Sequence, residues 1–483
     1  LVKLLEGTFS QLRAKNKRFS DFSCKIPIQP TFAPLFSDMK RILVIGAGRS
    51  SANLIKYLTE HASAEDWMIR VGDMDVEFAR KKIGACDRAH AFELNASDTG
   101  QRRKEIEGSD LVISMLPAAM HMLVARDCLD LGKNVITPSY IPDEMWTLDQ
   151  EAKAKGILIL NEMGVDPGID HMSAMKIIHE LQAAGAALDS FESFTGGLIA
   201  PESDNNPWNY KITWNPRNVV LAGYGGTARY RWNHSLKYIP YHRLFERITP
   251  VDIDGYGRFE GYANRDSLKY TRLYGLDTIP TLFRGTLRRG GFCAAWNALV
   301  QLGLTDDSFQ IENAGGLTWR RLTASFINES DQGNLEKEIA LYTGANEDTM
   351  AKLKWLGIFD DAPLGISEGS PAVALQKLIE NKWKLDDHDK DMIVMWHRFY
   401  YRQDNTHYEL QSSLITLGDD QVHTAMSKTV GLPIAIAARM ILNGSMKLTG
   451  VQLPVIPEIY NPVLQELESF GISFKEKKSV LQR

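Results

Sequence analysis

Arg41-Ile-Leu-Val-Ile-Gly-Ala-Gly-Arg-Ser-Ser51 decides the fold. Its apolar half is β-branched at Ile42, Val44 and Ile45, stops at Gly46, and gives way to a stretch with Leu54, Ile55 and Leu58 on one helical face. The same alternation repeats outward. Trp67-Met-Ile-Arg-Val71 ends at Gly72-Asp73, and Ala91-Phe92 with Leu94, Leu111-Val-Ile-Ser-Met-Leu116, Val135-Ile-Thr137 and Ile157-Leu-Ile-Leu160 read as further strands. Between them Val76 to Lys82, His121 to Leu131 and the stretch from Pro142 to about Gly156 read as helices. Strands alternating with helices at this spacing imply an α/β protein with a doubly wound, Rossmann-type parallel sheet over 39–165.

In that context the glycine loop gains a chemistry. Gly46 permits the tight turn, Gly48 lets backbone approach a pyrophosphate, and Ser51 stands where a third small residue lets helix pack on strand. The helix N-terminus offers unpaired N–H groups to phosphates. Gly46, Gly48, Arg49, Ser50 and Ser51 are therefore candidate cofactor contacts. Asp73, closing the second strand, is expected to accept hydrogen bonds from the adenosine ribose; its charge would repel a 2′-phosphate, which favours NAD over NADP.

Composition narrows the partners. The 483 residues carry 44% hydrophobic and 24% charged residues and a formal net charge of -5, the profile of a globular chain with little attraction for nucleic acid or an anionic membrane. No apolar run reaches the roughly 18 residues that suggest a membrane span. Cys24, Cys86, Cys128 and Cys293 are scattered without CxxC spacing, which reads as reduced thiols in a cytoplasmic protein, with no metal site. Residues 1–38, basic and irregular with Pro27, Pro30 and Pro34, read as a disordered arm without a signal-peptide core. HExxH and GxxxxGK[ST] are missing, so zinc-protease and P-loop chemistries have no support.

Past the sixth strand comes Glu162-Met-Gly-Val-Asp-Pro-Gly-Ile-Asp-His171. This segment resembles the (L/V)DPG(I/L)DH motif of the saccharopine dehydrogenases (glutamate-forming). So do Ile113-Ser-Met-Leu-Pro117, Pro138-Ser-Tyr140, Thr195-Gly-Gly-Leu198 with Ala200-Pro-Glu202, Glu260 to Asp266, Leu282 to Arg288, and Ala425 to Pro433. The resemblance spans roughly 40 to 475. It implies reversible oxidation of saccharopine at its secondary amine to an imine, which water splits to L-glutamate and 2-aminoadipate 6-semialdehyde. It also implies substrate contacts at Ser139, Tyr140, Asp166, Arg265, Thr286, Leu287 and Arg288, and cofactor contacts at Leu116, Pro138, Ser139, Val165, Asp166 and Pro167. A small-molecule amino-acid substrate and a homodimer follow from the same resemblance. The family often carries a cysteine where Thr195 stands, so Thr195 is expected only to line the site as a polar group.

These residue types suit the chemistry. A substrate with three carboxylates calls for guanidinium forks, which Arg265 and Arg288 would supply, although Arg284, Arg288 and Arg289 together also read as an ordinary charged surface. Moving a proton at the reacting nitrogen calls for a group such as Tyr140 or Asp166, each just beyond a strand's C-terminal end, where open α/β sheets gather ligands. Asp166 also reads as the cap of a helix starting near Ile169, and His171 reads as structural.

Downstream, Leu188 to Phe194, Met392 to Met395 and Tyr408 to Leu417 read as strands of a mixed or antiparallel sheet forming a substrate domain over 166–290 and 365–422, with a small α-helical insertion at 291–364 and with about 423–483 returning to complete the cofactor domain. Two other readings compete: a related condensing dehydrogenase of polyamine precursors (the carboxynorspermidine type), and a non-catalytic NAD(P)-binding regulatory protein. A diamine site would be lined by carboxylates rather than arginines, and a non-catalytic chain would show broken glycines or a filled cleft.

Overall fold

The apolar runs of the first part form β1 (Lys40–Ile45), β2 (Trp67–Asp73), β3 (Ala89–Glu93), β4 (Leu111–Ser114), β5 (Asn134–Ile136) and β6 (Leu158–Leu160) in a computed structural model that describes residues 39–222, 226–264, 266–328 and 334–482. Then come β7 (Ala187–Ile199), β8 (Ala228–Trp232), β9 (Ser235–Ile239), β10 (Ile248–Ile253), β11 (Gly257–Ala263), β12 (Thr281–Arg289), β13 (Asp391–Gln403), β14 (Thr406–Leu417), β15 (Gly450–Gln452) and β16 (Phe474–Val480). The first sheet has the order β15-β6-β5-β4-β1-β2-β3 with every pair parallel. Strand order reverses between β1 and β4, so the crevice at their C-terminal ends is the place where such sheets take ligands. The doubly wound sheet is thus the observed architecture.

The second sheet runs β10-β11-β12-β7-β13-β14-β16, with β8 on β12 and β9 on β8. It is mixed: β12 and β7 are parallel, and the other pairs are antiparallel. The β13–β14 hairpin turns on Asp404 and Asn405, both with positive φ (49° and 62°), the conformation that two-residue hairpin loops demand.

Two expected boundaries move. Helices Phe292–Gln301, Trp319–Ala324, Leu335–Thr343 and Glu347–Leu356 are followed by a further helix, Pro371–Lys382, so helical structure continues past residue 364. That last helix has its own start signals, Pro371 in its first turn and the Ser370 Oγ accepting from the Val373 N–H at 3.3 Å. The C-terminal segment also divides. β15 extends the first sheet beside β6, whereas β16 pairs with the outer edge of β14 in the second sheet. That edge carries the unpaired backbone groups of a long strand, and β16 satisfies seven residue positions of it.

The helix Ala425–Leu442 packs on Ala52–His61, the helix that follows the glycine loop. At their crossing Gly431 is required, since a Cβ there would meet the Leu54 backbone nitrogen at 2.7 Å. By length and composition Ala425–Leu442 could cross a membrane, which corrects the reading that no stretch qualifies; 78% of it is buried inside the fold, which gives it a core role here.

Candidate active site

The glycine loop lies where the sheet reverses. Gly46 has φ +100°, and a Cβ there would stand 2.9 Å from the Met115 carbonyl oxygen, so only glycine can let β1 pass this close to the end of β4. Gly48 is extended, and a Cβ there would meet nothing within 4 Å. Open space beside the backbone, at the entry to a helix, is what a pyrophosphate requires. Ser51 is fully buried, and its Oγ donates to the Gly48 carbonyl at 2.9 Å. The loop is tied down from outside as well. Asp73 Oδ2 accepts from the Ala47 N–H at 2.6 Å and Oδ1 from the Asp75 N–H at 2.9 Å, while Lys82 Nζ donates to the carbonyls of Ala47 and Gly48. Burial lowers the Lys82 ammonium to about 8. Arg49 is exposed at the tip. These residues fit a nicotinamide dinucleotide.

Tyr140 and Asp166 come together, as expected. The Tyr140 hydroxyl donates to Asp166 Oδ1 at 2.6 Å. The peptide Asp166–Pro167 is cis. Asp166 does not cap the following helix. Gly168 takes the cap position, and the side chain of Asp170, inside the helix, accepts the Gly168 N–H at 2.6 Å. That frees Asp166 for the cleft. A group that the sequence offered only as one charge in a run completes the pair: Arg284, from β12, donates to Asp166 Oδ1 at 3.0 Å and to Asp170 Oδ2.

Behind this trio lies a buried polar layer. Arg284 stands over the Tyr270 ring, 4.7 Å from its centroid. Tyr270 donates to Glu162 Oε1 at 3.1 Å, which also accepts the Ile141 N–H at 2.8 Å, next to Tyr140. His171 Nε2 sits 2.8 Å from Glu162 Oε2, off the hydrogen-bond angle, and its Nδ1 meets the Tyr274 hydroxyl. Glu162 has φ 60°, unusual for a residue with a side chain, and these partners hold it there. They outweigh burial and keep its carboxyl below the usual range. His171 is fully buried and forms part of the back wall of Asp166.

The electrostatics follow from the geometry. Loss of water and the charge of Asp170 raise the Asp166 carboxyl; Arg284 and the Tyr140 hydroxyl pull the other way without cancelling them. Tyr140 is 40% exposed, but its hydroxyl is turned inward, and the loss of water there followed by the Asp166 charge holds the phenol well above its ordinary value.

β12 carries the second half of the site. Residues two apart on a strand share a face, so Arg284, Thr286 and Arg288 point the same way. Leu287 points to the other face, against Gly196 of β7, and its side chain is fully buried. A Leu287 contact with substrate would therefore come from its backbone and not from its side chain. Arg288 is 4% exposed and packed among the rings of Tyr210, Tyr262 and Phe292 at 5.0, 5.8 and 5.3 Å. Among the described residues it has no carboxylate partner; its Nη1 donates to the Leu287 carbonyl, and its Nε has no acceptor. Thr195 is nearby, level with Thr286 across the β7–β12 pair. Among the described residues, Thr195 Oγ1 and the Tyr210 hydroxyl are likewise buried without hydrogen-bond partners.

Ser139 follows β5, but its Oγ meets His121 Nε2 at 2.7 Å rather than Asp166. Pro138, Val165 and Pro167 lie on the loops after β5 and β6, and Leu116 on the loop after β4, at the same edge as the glycine loop. Arg265, expected to bind substrate, lies outside the described residues, as do residues 1–38. Sequence reasoning missed Arg284, Asp170, Glu162 and His121. For Arg284 the signal was present, because strand alternation pairs residue 288 with 284 rather than with 287.

Comparison with known proteins agrees along the chain. The family model "Saccharopine dehydrogenase NADP binding domain" matches residues 42–160, and "Saccharopine dehydrogenase C-terminal domain" matches 164–472. A saccharopine dehydrogenase [NADP(+), L-glutamate-forming] of Schizosaccharomyces pombe is 32% identical over 451 residues, covering 91% of this chain and 99% of the relative. The mitochondrial alpha-aminoadipic semialdehyde synthase of Rattus norvegicus is 34% identical over 459 residues; the chain spans 48% of that relative's length, about half. Among solved structures, apo saccharopine dehydrogenase (L-Glu forming) from Saccharomyces cerevisiae matches with a TM-score of 0.82 at 30% identity, covering 91% of this chain and 100% of that one. Homospermidine synthase from Legionella pneumophila, at a TM-score of 0.52 and 10% identity, shares the fold alone. The cofactor expectation is corrected here: a dinucleotide site is supported, but the family model and the fungal relatives name NADP where Asp73 had suggested NAD.

Proposed function

This chain belongs to the saccharopine dehydrogenase family, and from that premise we propose that it interconverts saccharopine with L-glutamate and 2-aminoadipate 6-semialdehyde, using a nicotinamide dinucleotide. The observation that carries the reading is Arg288. A guanidinium this deep in a protein, with no carboxylate partner among the described residues, is costly unless an anion arrives. Its aromatic walls exclude water and strengthen pairing with a carboxylate. Arg284 lies about 13 Å away along the strand, four residues at the usual rise. A substrate with a carboxylate at one end and a reacting nitrogen several carbons away would bridge from Arg288 to the Asp166–Tyr140 pair.

When bound, the dinucleotide takes up a hydride from carbon. The chain's own part is the proton. Asp166, raised by burial and by Asp170, holds a proton more readily than an ordinary carboxylate and suits a base that takes one from the substrate amine. Tyr140, held in its phenol form, donates to Asp166 and keeps the accepting oxygen oriented. Water then adds to the imine carbon and the carbon–nitrogen bond breaks. The polyamine reading lacks its carboxylate-lined anchor, because the pocket beyond the reacting pair is built around Arg288.

The names of the fungal relatives support NADP. One observation favours NAD: Asp73 puts a negative charge at the end of β2, where a 2′-phosphate would approach. The test is to follow reduced-nicotinamide absorbance with purified protein, saccharopine and either cofactor. Turnover is expected, with the KM for saccharopine raised by roughly 30- to 100-fold in Arg288→Met, the size of a lost buried charge contact. An unchanged KM in that variant would remove the support on which this reading stands. Asp73→Ser should move the ratio of the two cofactors toward NADP if Asp73 faces the ribose, and leave it unmoved if the carboxylate stays on the glycine loop.

A further inference from the structure

Ser139 stands at the cleft edge between the dinucleotide loop and the Tyr140–Asp166 pair, and its hydroxyl is not left to rotate. Its Oγ lies 2.7 Å from His121 Nε2, and His121 Nδ1 lies 2.9 Å from the Oγ of Ser114. The three side chains come from three places: Ser114 ends β4, His121 opens the helix His121–Leu131, and Ser139 follows β5. Ser114 and His121 are 1% and 3% exposed. Burial pushes the imidazole down to about 4, so it is neutral under physiological conditions. A neutral imidazole has one donor and one acceptor nitrogen, and each serine hydroxyl can play either part. The chain of bonds therefore runs in one sense or the other, and that sense decides whether the Ser139 proton points at His121 or is free to be donated into the cleft.

We infer that His121 is a positioning residue for the reaction: through Nε2 it sets which way the Ser139 hydroxyl presents itself to the bound ligand, and Ser114 Oγ holds the other ring nitrogen from behind. This rests on the proposed activity, because it gives Ser139 a ligand to face. It differs from a packing role in one respect: a histidine that merely joins β4 to β5 would matter equally whether or not Ser139 had a hydroxyl.

A double-mutant cycle in the full chain separates the two. Asn at position 121 can reach Ser114 but not Ser139, whereas the longer Gln can place its amide near the position of Nε2. His121→Asn and Ser139→Ala should each lower kcat/KM by about tenfold, the value of one oriented hydrogen bond. The double variant should be no worse than Ser139→Ala, and His121→Gln should stay within about threefold of the unsubstituted chain. The melting temperatures of the Asn and Gln variants should agree, so that the difference is not one of folding. Fully multiplicative losses, or Asn and Gln failing alike, would overturn the inference. If the unsubstituted chain turns over no saccharopine, the proposed activity has failed, and the same cycle is read on the Kd of NADPH. Coupling between positions 121 and 139 there supports the positioning role, and additivity rejects it.

Discussion

Arg284 and Arg288 leave one face of β12 within a single stretch of strand, are each 4% exposed, and live in opposite circumstances. Arg284 is claimed by Asp166 and Asp170. Arg288 is surrounded by aromatic rings and has no carboxylate among the described residues. Burial cannot tell these two apart, and neither can residue type. What separates them is where the compensating anion comes from. For Arg284 the protein supplies it, and the arginine becomes part of the wall that holds Asp166. For Arg288 the described residues supply none, and we propose that a bound substrate does.

The sharpest way to break this comparison is to remove each guanidinium in turn. Arg284→Met leaves two buried carboxylates facing each other without a cation, and should cost about 3–5 kcal/mol of stability in denaturant unfolding. Arg288→Met leaves no stranded partner and should cost no more than about 1 kcal/mol, or even stabilise, because a thioether suits an aromatic cage. Equal losses would mean that the two arginines do the same structural work, and the receptor role of Arg288 would fall.

The two sheets differ in how far the sequence disclosed them, for a physical reason. The parallel sheet is built from short apolar strands, each followed by its own helix, so pattern and turn chemistry stay local; Gly46 and Gly48 announce their loop within a few residues. The placement of Tyr140 and Asp166 at one edge of that sheet was legible because each follows a parallel strand, whereas their hydrogen bond was not. The mixed sheet joins β7 to β12 and β13 across long separations, and no local pattern gives that register. Arg284 consequently reads as one charge in a run, although it reaches Asp166 and Asp170 more than a hundred residues away. The Glu162–His171–Tyr274 layer is hidden for the same reason, as is His121, since nothing beside it in the chain shows that Ser114 and Ser139 flank its ring.

Acid sharpens the comparison next. His397, buried against Ser173 and Ser193, is pushed down to about 3 by burial and then by the charge of Arg284; His121 is lowered to about 4. In the unfolded chain both return to about 6.5. Between these values the unfolded state binds more protons, so stability falls as pH drops from about 6.5 toward 4, by on the order of 3 kcal/mol for each histidine. His397→Asn should remove its share of the slope in melting experiments across that window. A slope unchanged in the variant would show that the imidazole, and with it the field of Arg284 at this depth, is better screened than the geometry implies.

The smallest effect tests the Asp166 side of the pair. In the oxidative direction Asp166 must be unprotonated to take the amine proton, so the acid limb of kcat/KM should lie above the usual carboxylate range, in keeping with its raised carboxyl. The Tyr140 hydroxyl stabilises the carboxylate by donating to it, and therefore opposes that rise. Tyr140→Phe removes the donor while leaving Arg284 in place, and should move the acid limb further up, by about one pH unit or less. A limb that moves down would mean that Tyr140 acts mainly by excluding water. A limb that stays put would mean that Arg284 alone governs the charge of Asp166, which would make the guanidinium already paired by the protein the one that tunes the chemistry and leave Arg288 with binding.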